Sequence, residues 1–105
     1  MERDIQITAR AEEDVREIVA YIAARNERAS RYFEVEFDTT VARLARNPHI
    51  GHRYRGVEEE VLTFRVSQRF RRYLIFYTLP DARTLRIVRI LHGARDLKPL
   101  VARPT

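Results

Sequence analysis

The hydrophobic period of this chain changes at Asn47-Pro48, and that change limits the folds open to it. Before it, apolar side chains recur at helical spacing. Val15, Ile18, Val19 and Ile22 form one stripe, and Ala29, Phe33, Phe37, Val41 and Leu44 form a second. After it come three runs rich in β-branched and aromatic residues: VLTFRV (61–66), FRRYLIFYTL (70–79) and LRIVRIL (85–91). Proline pushes the residue before it out of the α region, so the second helix ends at Asn47. Short connectors, Ser67-Gln68-Arg69 and Pro80-Asp81-Ala82-Arg83, join the three runs and predict antiparallel hairpins.

The ends of the elements are marked as well. Ile5 and Ile7 alternate with Asp4 and Gln6, which reads as a short first strand. Thr8 is placed to cap a helix over about 9–25, and Glu12, Glu13 and Asp14 put negative charge near the positive end of its dipole. Asn26 caps the next helix with almost no loop between, so the two helices form an αα-hairpin. The predicted order is β-α-α-β-β-β: an α+β domain with the hairpin on one face of an antiparallel sheet. With 105 residues the chain is expected to be a single domain, 1–105, in which 94–105 is a tail carrying Pro99 and Pro104.

Strand alternation sorts the sheet side chains into two faces. Arg71, Tyr73, Ile75 and Tyr77 share one face, and Arg72, Leu74 and Phe76 the other. In the last run Leu85, Ile87, Arg89 and Leu91 oppose Arg86, Val88, Ile90 and His92. Neither face is cleanly polar, and two helices cover only one. The other is therefore expected to expose apolar and aromatic groups mixed with arginine, a surface that calls for a partner.

Charge narrows the choice of partner. The net charge is +5, and Lys98 is the one lysine among 20 basic side chains. Arginine holds phosphate and carboxylate in planar, bidentate contacts, which suits nucleic acid or an acidic protein. There is no cysteine, which excludes disulfides and thiolate metal sites. His49 and His52 lie in the basic loop PHIGHRYRG (48–56) with no acidic or further histidine neighbour, so no metal is expected, and no pattern calls for a cofactor. No apolar run has membrane-spanning or signal-peptide length, and a cytoplasmic protein is expected.

The segment ILHGARDL (90–97) gathers His92, Arg95 and Asp96 within five residues. These are possible parts of an active site. They are equally the exit from the last strand, with Gly93 making a sharp turn and Arg95 and Asp96 pairing or capping nearby.

In its order and phrasing the chain resembles the RelE/ParE superfamily of type II toxin–antitoxin toxins. The resemblance rests on AEEDVREIVAYIAARN, on ARLARNPHIGHRYRG and above all on YLIFYTLPDARTLRIVRILHGARDL, and covers Ile5 to about Val101. It implies a growth-inhibiting toxin, of the kind associated with plasmid stabilization, in a hetero-oligomer with a cognate antitoxin. The HGARD turn is closer to the ParE branch, whose members inhibit DNA gyrase and trap cleaved DNA. The alternative is a RelE-like endoribonuclease that cuts mRNA on the ribosome. A non-catalytic nucleic-acid-binding module is a further alternative.

The branches ask different things of the same residues. Metal-free RNA cleavage needs a base for the 2′-hydroxyl, a proton for the leaving oxygen and positive charge on the phosphate. Arg65, Arg71, Tyr73, His92 and Arg95 are the groups for that chemistry, with His92 the one side chain of suitable unperturbed pKa. The near-absence of lysine departs from the lysine-rich catalytic face of many RelE-like nucleases. In the ParE-like reading no residue is catalytic, and Arg65, Arg71, Tyr73, Tyr77 and Arg95 bind the target or an acidic antitoxin.

Overall fold

The computed structural model describes residues 1–55 and 57–93. The elements are β1 (Asp4–Ile7), α1 (Ala9–Ala23), α2 (Glu27–Arg46), β2 (His52–Arg53), β3 (Leu62–Arg65), β4 (Tyr73–Thr78) and β5 (Thr84–His92). The five strands form one sheet in the order β1-β5-β4-β3-β2. Neighbours from β2 to β5 are antiparallel, as expected, but β1 lies parallel to β5 and makes the sheet mixed.

Both predicted helix caps form. Thr8 Oγ1 accepts the Ala11 N–H at 3.1 Å, and Asn26 Oδ1 accepts that of Ala29 at 3.0 Å. Thr8 also ties the helix to the sheet, since its N–H bonds the Ile87 carbonyl and its hydroxyl donates to the Val88 carbonyl. The α2 stripe is buried through Phe33, Phe37, Val41 and Leu44, while Val15, Ile18, Val19 and Ile22 of α1 pack around the same core. From the sheet, Val66, Ile75, Tyr77, Leu85, Ile87 and Ile90 complete it.

Two expectations about the sheet are corrected. The face away from the helices is not bare: Phe76, Val88 and Leu91 are buried there with Val61, and Tyr54 and Val57 pack over them. The segment after β2 folds back to do this, closed by the Tyr54 N–H to Val61 carbonyl bond and the edge-on contact of Tyr54 with Phe76. The large exposed apolar side chains are instead Met1, Ile5, Ile7, Tyr21 and Val35 among the described residues, at the β1 end and on the helices.

The alternation in β5 is also broken. Tyr77 pairs with Ile87 but Phe76 pairs with Arg89, so Val88 is the extra residue of a bulge. Leu85, Ile87 and Ile90 therefore share the helix side, while Val88 and Leu91 take the other. Beyond the bulge the edge of β5 is met by α1 instead of β1. Asp14, buried on α1, accepts Arg89 Nε at 2.8 Å, a second Arg89 nitrogen at 3.1 Å and the Ile90 N–H at 3.1 Å. The acid read as a helix-dipole charge is thus the polar centre of the helix–sheet interface.

Candidate functional site

The start of β4 and the end of β5 meet at one end of the sheet, where Tyr73 pairs with His92. Antiparallel partners point to the same side, which places both on the helix face. Their rings meet edge-on at 5.2 Å, and Tyr73 also meets Phe33 edge-on at 5.5 Å. The turn before β4 leaves Arg71 and Arg72 exposed. Arg69, Phe70, Arg71, Arg72, Tyr73 and His92 line a cleft of about 230 Å³.

Arg71, Tyr73 and His92 are thus brought together, though Arg71 lies in the turn and not in a strand. Arg65 does not join them. It pairs with Leu74, which pairs with Leu91, and this row belongs to the opposite face. Tyr77 is removed from any contact surface: it is fully buried, donates to the Pro48 carbonyl at 2.7 Å and accepts the Gly51 N–H at 3.1 Å. Arg65, Arg71, Tyr73 and Tyr77, expected together as binding residues, therefore do not share one surface. Arg95 and Asp96 lie outside the described residues.

The electrostatics limit what the cleft can do. Burial pushes the Tyr73 phenol above its ordinary 10.0, the Tyr21 phenol adds to the rise and the Arg25 guanidinium opposes it. A phenol shifted upward is a poorer base near neutral pH. The carboxylate of Asp14 lines an adjoining cleft with Tyr73 and His92, but its oxygens already hold Arg89 and the Ile90 amide. Positive charge and a single imidazole are what this end offers. Among the described residues no group of three or more histidines and acids is placed to hold a metal.

Several residues here were not singled out from the sequence. Arg69 stacks over Tyr32 at 4.4 Å and pairs with Glu36 at 3.3 Å, while Ser67 bonds the same glutamate. These contacts dock the β3–β4 connector on α2, beside the Phe33–Phe70 contact at 5.2 Å. Arg25, just past the end of α1, lies over Tyr21 at 3.8 Å. The Tyr21–Arg25 spacing of four on a helix was the available signal.

A two-helix hairpin laid on one face of a five-stranded mixed sheet is an α+β architecture consistent with the ParE/RelE-like toxin fold. Residues 5–97 match the family described as the ParE toxin of the type II toxin–antitoxin system parDE, and the chain belongs to that family. It is therefore a toxin of a type II system, and its family implies an antitoxin partner. None of the curated proteins compared with it matches. Among the described residues no helix is long and apolar enough to cross a membrane.

Proposed function

We propose that this protein is a ParE-like toxin, folded as one domain, that binds DNA gyrase and holds it with DNA cleaved, and that an acidic antitoxin neutralises it. The observation that carries this reading is the mismatch between charge and base at the Tyr73–His92 end. Exposed arginines are plentiful, yet the tyrosine is shifted away from basicity and the nearest buried acid is committed to Arg89. Such a surface is suited to binding and poorly equipped for proton transfer. The bound antitoxin folds on the toxin and meets Arg65, which is exposed at the end of β3. Purified protein added to gyrase with ATP should block supercoiling and raise linear DNA; no effect at a large molar excess refutes the reading. Arg65→Glu should weaken antitoxin binding by about tenfold, measured by titration calorimetry.

His92 favours a second reading, ribosome-dependent mRNA cleavage, because its imidazole lines the arginine-bearing cleft. A translation extract distinguishes the two. Message cut on the ribosome by the wild type and left intact by His92→Ala selects the nuclease. Gyrase inhibition retained by His92→Ala selects the inhibitor.

A further inference from the structure

The helix-hairpin tip and the β3–β4 connector form one continuous cationic end. Arg25 covers Tyr21, and both act on the Tyr73 phenol. Arg28 and Arg69 approach the same Tyr32 ring, at 5.8 and 4.4 Å. Arg71 and Arg72 continue from Arg69 along the 230 Å³ cleft to Tyr73 and His92. Of the carboxylates near this end, Glu36 is engaged by Arg69 and Glu27 by Arg31, while Glu17 lines the adjoining cleft with Tyr73 and His92. Arg25, Arg28, Arg71 and Arg72 make no ion pair among the described residues.

We infer that this end binds a single-stranded nucleic-acid segment, with the arginines on its phosphates and Tyr21 as a stacking ring. Guanidinium groups fit phosphate oxygens two at a time, and alternation of arginine with aromatic rings is how sequence-tolerant single-strand sites are built. A folding peptide would instead need apolar surface to bury. Of the large exposed apolar side chains among the described residues, only Tyr21, 55% exposed, belongs to this cluster. The inference stands apart from the gyrase reading, because it concerns the toxin alone.

The test is fluorescence anisotropy of the full chain with labelled 20-nucleotide single-stranded DNA, the matching RNA, duplex DNA and polyglutamate. With about four phosphates neutralised, single-strand affinity should fall about 50-fold between 50 and 200 mM salt. Arg71→Glu with Arg72→Glu should weaken binding and cut that dependence to about sevenfold, as expected for about two remaining contacts. Arg46→Glu with Arg83→Glu changes the net charge equally. Arg46 lies about 27 Å along α2 from Arg28, and this double variant should keep the 50-fold dependence. Circular dichroism checks that both variants fold. Equal losses in the two variants, polyglutamate or duplex bound as tightly as the single strands, or no binding at 50 mM salt would overturn the inference. Preference for DNA over RNA, or the reverse, identifies the strand.

Discussion

Tyr77 illustrates what a residue's position in a strand does and does not reveal. Alternation correctly groups Tyr73, Ile75 and Tyr77 on one side of β4. It does not say which side the helices take, and that decides whether a tyrosine is a contact surface or a core. Burial raises the Tyr77 phenol above its ordinary 10.0, with the Gly51 N–H opposing the shift. A folded-state pKa above the unfolded value gives stability that is present below pH 10 and lost as pH rises through the folded value. Wild type should therefore lose stability above about pH 10, and Tyr77→Phe should lose less over the same range, read from urea midpoints. At neutral pH the same variant strands the Pro48 carbonyl and Gly51 amide and should cost about 1–3 kcal/mol. Gly51→Ala should cost a similar ~1–3 kcal/mol by overpacking, because its added carbon meets the Tyr77 hydroxyl oxygen.

The helices were the most legible elements, since stripe and cap both lie within a few residues of sequence. Strand existence was legible too, but β4 starts at Tyr73, three residues later than its apolar run suggests, because 69–72 forms the turn that docks on α2. The bulge at Val88 was not legible. It is set by where β1 stops and α1 takes over the edge of β5, a relation between segments about 80 residues apart. For the same reason Asp14 reads as one more acid at a helix start. Asp14→Ala should cost about 3–5 kcal/mol in urea unfolding, because Arg89 is left buried without that carboxylate. Asp14→Leu with Arg89→Met should recover much of the loss, since the cost lies in the orphaned charge. Thr8→Ala should cost about 1–2 kcal/mol through the lost cap.

At the scale of the molecule, Arg25, Arg28, Arg69, Arg71 and Arg72 gather around three tyrosines at the end built from the hairpin tip and the β3–β4 connector. Composition announced the arginines but not their grouping, which joins residues from α1, α2 and the connector. The strand order carries one more consequence. The first strand closes against the last, Ile5 beside Leu85 and Thr8 against Ile87 and Val88, and the Asp14–Arg89 pair spans 75 positions. During synthesis β1 and α1 therefore emerge long before the strand that completes them, and such long-range pairing forms late. A ribosome-tethered chain ending before β5 should be cut readily by protease, while the full chain resists. The Tyr73–His92 end is thus assembled only once β5 has emerged, so a shorter nascent chain cannot yet present it.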